Sequence, residues 1–320
     1  MIEPFDVITM GRVGVDLYPE QSGVRLKDVR TFAKSLGGSA TNVAVAAARL
    51  GANVAVITKV GDDPFGPYVR EALAGFGVDA RWVGTHPTLR TPVVFCEIFP
   101  PDDFPLLFYR EPTAPDMTIE PADLDFEAIR RAHVFWTTGT GLSAEPSRSA
   151  TLAALRARDD STHDAITIHD LDHRPAFWHH EREAGRWARK ALAHATVAVG
   201  NRDEVAVAVG TRDPHEASAA LLELGVRVAI VKQGPDGVLA RTADRLVEVE
   251  PVRLDVVNGL GAGDAFGGAL AYALVRGWDL ERALRLANAA GAFVASQLAC
   301  ADAMPTLAQL EALIAEEVPL

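Results

Sequence analysis

Only two cysteines occur in the 320 residues, Cys96 and Cys300, far apart in sequence and outside any CxxC pairing. That scarcity excludes a disulfide scaffold and points to free thiols in a reducing compartment. Positive charge is also in deficit: 31 Lys and Arg face 43 Asp and Glu, a net charge of −12. A field of that sign disfavours nonspecific binding to nucleic acid or an anionic membrane, so an anionic ligand needs a locally basic pocket. No apolar run approaches the roughly 18 residues of a membrane span. Met1-Ile2-Glu3-Pro4 lacks the basic head and apolar core of a signal peptide, and the expected location is cytoplasmic. Ser/Gly-rich linkers, low-complexity tracts and solenoid repeats are missing. The nine histidines form no HExxH or other metal spacing, and His179-His180 reads as the exposed start of a helix.

What is present is 48% hydrophobic residues on a chain long enough for a sizeable core. Short β-rich runs at 53–60, 134–137, 165–169, 196–199 and 226–232 alternate with helical windows. Asp62-Asp63-Pro64 supplies start chemistry for a helix toward Phe76, and Asp213-Pro214 opens another toward Leu224. Such alternation predicts an α/β fold, a parallel sheet with helices on both faces. Segments 11–35 and 88–112 break the pattern, being extended and without helices of their own. In the second, 93–99 and 106–110 flank Pro100-Pro101-Asp102-Asp103, which reads as a hairpin tip or loop. The expectation is one domain over 1–320 carrying a small β-sheet lid.

The sharpest motif is Asn258-Gly259-Leu260-Gly261-Ala262-Gly263-Asp264 with a helical pattern behind it. A glycine loop feeding a helix start presents free N–H groups and a positive dipole end to an anion, and an aspartate there can accept a proton from an alcohol. The competing reading is a glycine turn with Asp264 as a cap. A second motif, Gly37-Gly38-Ser39-Ala40-Thr41-Asn42, precedes an Ala-rich helix over 43–50 that stops at Gly51. Its glycines either let a ligand lie against backbone or serve tight helix packing, and Asn42 offers a donor and an acceptor. Asp16, read at the end of the first strand, suits either substrate hydroxyls or a turn. Asn201 and Glu204, spaced i, i+3 after a strand, either manage Mg²⁺ through its waters or cap a helix. Lys232-Gln233-Gly234-Pro235-Asp236-Gly237 makes a tight turn suited to a nucleotide, and Arg110 and Arg174 are the candidates for a basic pocket.

The paired motifs Gly37-Gly38…Asn42 and Gly261-Ala262-Gly263-Asp264 resemble the two hallmarks of the PfkB (ribokinase-like) carbohydrate kinases, over a span from Gly11 to about Pro305. Stretches 11–19, 96–102 and 257–264 are similar to a sugar-acid kinase within that family. The resemblance implies a three-layer α/β/α sandwich with a mainly parallel central sheet and a small β-sheet lid. It further implies transfer of a phosphoryl group from MgATP to the terminal hydroxyl of a keto-deoxy sugar acid. Asp264 would be the catalytic base, with the amides of Gly261, Ala262 and Gly263 as anion hole. Asp16, Gly38 and Asn42 would bind sugar hydroxyls, with Tyr109, Arg110 and Arg174 toward the carboxylate end. Asn201 and Glu204 would manage Mg²⁺ and phosphates, Lys232, Gly234 and Gly237 the nucleotide, and Asn288 the adenine.

Many relatives carry Asp-Thr where this chain has Asn258-Gly259; that Asp helps build a monovalent-cation site in some members, so the departure puts K⁺ activation in doubt. A homodimer through the lid is the implied assembly. Other acceptors (2-dehydro-3-deoxygluconate, fructose, a nucleoside) keep the same chemistry. A non-catalytic ligand sensor is disfavoured by the intact Asp264 motif. A dinucleotide-dependent dehydrogenase is disfavoured because Gly11-x-x-Gly14 leads into extended chain, not a helix.

Overall fold

In the computed structural model, residues 3–159 and 165–317 are described; Met1 and Ile2 of the N-terminal reading lie outside them. Fourteen strands are described: β1 (Val7–Met10), β2 (Gly14–Pro19), β3 (Phe32–Gly37), β4 (Val54–Gly61), β5 (Val78–Asp79), β6 (Val83–His86), β7 (Val93–Cys96), β8 (Leu106–Tyr109), β9 (Val134–Thr138), β10 (Ile166–Asp170), β11 (Val197–Asn201), β12 (Val228–Lys232), β13 (Val238–Arg241) and β14 (Leu246–Val249). Ten of them form the central sheet, in the order β14-β13-β12-β11-β10-β9-β1-β4-β5 with β6 against β4. From β11 through β4 every pairing is parallel, and only β12–β13 and β13–β14 run antiparallel.

The strands in the middle of the sheet are apolar on both faces because both are covered. In β9, Val134 and Trp136 enter one core, while Phe135 enters the other. The first core takes α1 (Ser39–Arg49), α2 (Phe65–Gly75), α8 (Ala262–Val275), α9 (Leu280–Ala295) and α10 (Leu307–Glu317). The opposite face takes α3 (Phe126–Arg131), α4 (Ser147–Asp159), α5 (Glu181–Leu192), α6 (Arg202–Val209) and α7 (Pro214–Glu223). The three layers are therefore those of a ribokinase-like α/β fold, with a smaller separate sheet beside them.

Small residues let α1 and α8 approach closely. A Cβ on Gly268 would meet the Val43 carbonyl at 2.7 Å and the Ala47 amide at 2.8 Å, and one on Gly267 would meet the Trp136 ring at 2.6 Å. The alanines of α1 and the glycines of α8 are two sides of one contact, and it fixes the two motif-bearing helix starts relative to each other.

The smaller sheet has the order β3-β2-β7-β8 and draws on both segments that broke the alternation. The chain turns at Pro100–Asp102, closed by a bridge between Phe99 and Asp103. Two expectations need correction. β1 stops at Met10, so Asp16 lies inside β2 of the smaller sheet rather than at the end of the first strand. Helix α1 begins at Ser39, not at residue 43, because Gly38 at φ +100° turns the chain from β3 directly into it. Asn42 is consequently one turn inside the helix.

Candidate active site

The carboxyl ends of the parallel strands point toward the glycine loop at the start of α8, the usual place for ligands in open α/β sheets. Gly261 caps α8 with φ +83°, in the left-handed region glycine tolerates. The first helical bond runs from the Ala265 amide to the Gly261 carbonyl at 2.9 Å. The amides of Ala262, Gly263 and Asp264 therefore stand free of the helix ladder at the positive end of its dipole. Lys232, at the end of β12, closes this cradle: its Nζ lies 3.3 Å from where a Cβ on Gly263 would sit and 3.9 Å from Asp170 Oδ1. Burial favours the neutral amine, but Asp170, Glu204, Asp264 and Asp172 together raise the Lys232 pKa and keep it cationic.

Asp264 is held across the cleft by Asn42, whose Nδ2 donates to Asp264 Oδ2 at 2.8 Å. The two glycine motifs thus meet at one hydrogen bond. Burial raises the Asp264 carboxyl to about 6, with Arg12 and the Asn42 amide pulling it down. The other side of Asn42, Oδ1, is buried and has no hydrogen-bond partner among the described residues, leaving an acceptor beside the base. Asp16 is likewise raised to about 6 by burial, and Tyr18 donates to it at 3.1 Å. Gly37 and Gly38 leave no room for a side chain. A Cβ at Gly37 would collide with the Asp16 carboxylate, and one at Gly38 would meet the Arg12 carbonyl at 2.5 Å.

The basic pocket differs most from expectation. Tyr109 is 62% exposed and packs edge-on against Phe95, on the face of the smaller sheet opposite Phe108. The inward ring is Phe108, which stacks edge-on against Phe177 with centroids 5.0 Å apart. Arg110 shares that inward face and makes a two-point ion pair with the buried Asp116. Asp116 also accepts the Val13 amide at 3.0 Å. Arg174 Nε lies 3.0 Å from Asp172 Oδ1. Asp172, a non-glycine residue at φ +27°, is the hub of this side. Its Oδ2 accepts the Ser39 hydroxyl at 2.8 Å and that of Thr140 at 3.0 Å. Burial alone would raise its pKa, but Arg12 and Arg174 hold it below the ordinary carboxylate range.

On the nucleotide side, Asn201 and Glu204 form a reciprocal cap on α6. Asn201 Oδ1 accepts the Asp203 and Glu204 amides at 2.9 Å each, and Glu204 Oε2 accepts the Asn201 amide at 2.7 Å. Both lone-pair directions of the Asn201 oxygen are taken by the start of α6, so the two residues cap this helix. The turn at 233–236 is pinned by Arg202, bonded to Gln233 and Asp236 at 2.8 Å each. A Cβ on Gly237 would collide with the Val249 carbonyl, and Asn288 Nδ2 donates to the Glu250 carbonyl at 2.7 Å, so both sit beside the chain leaving β14. Among the described residues no group of three or more His, Cys, Asp or Glu is arranged to hold a metal ion by itself.

Sequence reasoning passes over Arg12, Asp116, Asp172 and Phe177. The only local signal is the pair of aspartates in Asp170-Leu171-Asp172 after a strand. Cys300 reads as a bland free thiol, and it is free and buried, but a side chain on Gly261 would strike its Sγ.

A free-amide cradle, a buried lysine and a carboxylate poised beside them define a site for moving an anionic group onto an alcohol. The family model described as pfkB family carbohydrate kinase matches residues 5–307, and the chain belongs to that family: it is a carbohydrate kinase. It is 33% identical over 319 residues to the 5-dehydro-2-deoxygluconokinase of Geobacillus kaustophilus, covering 98% of this chain and 94% of that protein. With the 5-dehydro-2-deoxygluconokinase of Photobacterium profundum it shares 35% identity over 311 residues, covering 95% and 92%. Among solved structures, the fructokinase from Vibrio cholerae O395 with fructose, ADP and a calcium ion superimposes with a TM-score of 0.85 at 26% identity, over 97% of this chain and 99% of that one.

Proposed function

We propose that this kinase transfers the terminal phosphoryl group of ATP to the terminal hydroxyl of 5-dehydro-2-deoxy-D-gluconate, a step of myo-inositol catabolism. The observation that carries the reading is the Asn42–Asp264 hydrogen bond at the free-amide start of α8. It sets a base, an orienting amide and an anion cradle at one point. The arginines on the acceptor side suit an acid rather than a neutral sugar, and the relatives named above bear that substrate's name.

With a carboxyl near 6, Asp264 is ionised at neutral pH and ready to take the hydroxyl proton. Asn42 fixes its direction. The amides at the head of α8 and the Lys232 ammonium face the phosphoryl group whose charge develops during transfer. Mg²⁺, when bound with ATP, supplies further neutralisation of the phosphates; Glu204, buried at the mouth of β11, is the residue that would meet its water shell. Gly234, Gly237 and Asn288 would border the nucleotide.

K⁺ activation is not expected. Asn258 is fully buried, and its Nδ2 donates to the Leu298 carbonyl at 2.7 Å, so an amide group already occupies the place of the Asp that relatives carry. The outer face of the smaller sheet, with Phe32, Phe95 and Tyr109 in an edge-to-face ladder, is the surface for the homodimer implied by resemblance. Sedimentation of Tyr109→Glu beside the wild type tests that assembly.

The test of function is an ADP-release assay with MgATP, with and without K⁺, across 5-dehydro-2-deoxygluconate, 2-dehydro-3-deoxygluconate, fructose, ribose and adenosine. The highest kcat/KM is expected for the first, unchanged by K⁺. A neutral sugar in first place would overturn the acid assignment and leave the kinase.

A further inference from the structure

Three arginines line the acceptor side, and they differ in how fully their donors are used. Arg110 spends two nitrogens on Asp116. Arg174 Nε lies 3.0 Å from Asp172 Oδ1, off the angle of a hydrogen bond, but this side chain is 38% exposed. Arg12 is different. Its side chain is 11% exposed, and its nearest ion-pair contact is from Nε to Asp172 Oδ2 at 3.6 Å, beyond hydrogen-bond range. Nε is buried without a partner among the described residues.

The cause lies in Asp172. The two lone pairs of its Oδ2 are already met by the Ser39 and Thr140 hydroxyls, so this oxygen balances the charge of Arg12 without completing a bond to it. A guanidinium carries five N–H donors in a fixed fork, and leaving them unmet in a buried site is costly. The backbone leaves the side chain little choice of direction. Gly38 presses on the Arg12 carbonyl and the Val13 Cα, at 2.5 and 2.6 Å from a would-be Cβ, while the Val13 amide is tied to Asp116.

We infer that Arg12 recognises the acceptor's carboxylate, as a specificity-determining residue whose unspent donors form the bidentate contact. The inference rests on the sugar-acid reading above and adds to it the residue that discriminates. Phosphoryl oxygens are served elsewhere, by the amides of α8 and by Lys232, so the anion left for Arg12 is the acceptor's own. Besides Asp172, the Arg12 charge acts on Asp16, Asp264 and Cys300, so it stands beside both the base and the carboxylate of β2. Sequence alone hides this role, because Arg12 reads as an ordinary residue of a strand-end loop.

The experiment measures KM for 5-dehydro-2-deoxygluconate, KM for ATP and kcat in the wild type, Arg12→Gln and Arg12→Lys. Loss of a charge-assisted hydrogen-bonded contact should raise the acid's KM about 10- to 100-fold in Arg12→Gln. The KM for ATP should stay at its wild-type value. Arg12→Lys should recover part of the loss, since it keeps the charge and gives up the fork. An acid KM unchanged in both variants, or a fall in kcat with KM untouched, would overturn the inference. If Arg12→Gln fails to fold or to bind ATP, Arg12→Lys decides: a KM equal to wild type refutes the role. A wild type that prefers a neutral acceptor sinks the sugar-acid reading itself, and this inference with it, whereas an acid-selective wild type with an indifferent Arg12 sinks the inference alone.

Discussion

The two ends of the cleft are built by different means. At the proposed transfer end the donors are mostly backbone: Gly261 turns the chain, α8 starts, and the amides of Ala262, Gly263 and Asp264 precede the first helical bond in consecutive order. At the acceptor end the charges come from side chains far apart in sequence: Arg12 after β1, Arg110 and Asp116 beside the smaller sheet, Asp172 and Arg174 after β10. In the proposed reading the shared transfer chemistry sits on the first kind of scaffold and selectivity on the second, where one substitution changes a charge without disturbing a helix start.

The strongest way to break the comparison is at the one residue the two ends share. Asp264→Asn should lower kcat by about a thousandfold or more, the range for loss of a general base, while ATP binding by calorimetry holds. Undiminished turnover would remove Asp264 from the mechanism. At the acceptor end, Asp172→Asn leaves Arg12 and Arg174 without their counter-charge. Chemical denaturation should show a loss of about 3 kcal/mol, near the low end for a broken buried pair, because Arg174 is 38% exposed. A stability equal to wild type would show that Asp172 is not the electrostatic hub.

The pH dependence of the ligand-free protein and of its activity should run in opposite directions. Asp264 must be ionised to accept a proton, so kcat/KM should fall about tenfold per unit as pH drops below its pKa, which lies at about 6. Stability follows the reverse sign. Asp16 and Asp264 are raised to about 6 from an ordinary aspartate value of 3.8, so the folded state binds more protons across that window. Their contribution to stability should therefore decline as pH rises from about 4 to about 6. An activity profile flat down to pH 5 would contradict the base assignment. The smallest effect is expected on the nucleotide side: Asn201→Ala removes a cap and should cost about 1 kcal/mol by thermal melting. A change in the Mg²⁺ dependence of the rate far larger than the loss of stability would return Asn201 to the metal.

The division between what is and is not legible in the chain follows from distance along it. The strand and helix alternation, the extended segments that supply the smaller sheet, and the loop at 258–264 announce themselves locally, through apolar period, turn residues and caps. The Ala-rich pattern puts the start of α1 four residues late, because that start depends on Gly38 at φ +100° and a glycine pair does not declare which member turns. Tyr109 reads as a pocket residue because an aromatic pair before an arginine looks alike from either side. Strand alternation chooses Phe108 and Arg110 for the inward face instead.

The amino-acid sequence by itself determined the α/β class, the family and the aspartate at the head of α8. Each of those rests on short motifs and periodic runs that are legible one at a time along the chain, and on their order, without any contact between them. Only the tertiary structure decided that Asn42 meets Asp264, that Asn201 spends its oxygen on a cap, and that Arg12 lies at 11% exposure with its Nε unpartnered among the described residues. Those outcomes depend on which lone pairs and protons remain after distant segments have packed together. That accounting cannot begin until β1, β9, β10 and α1 stand side by side.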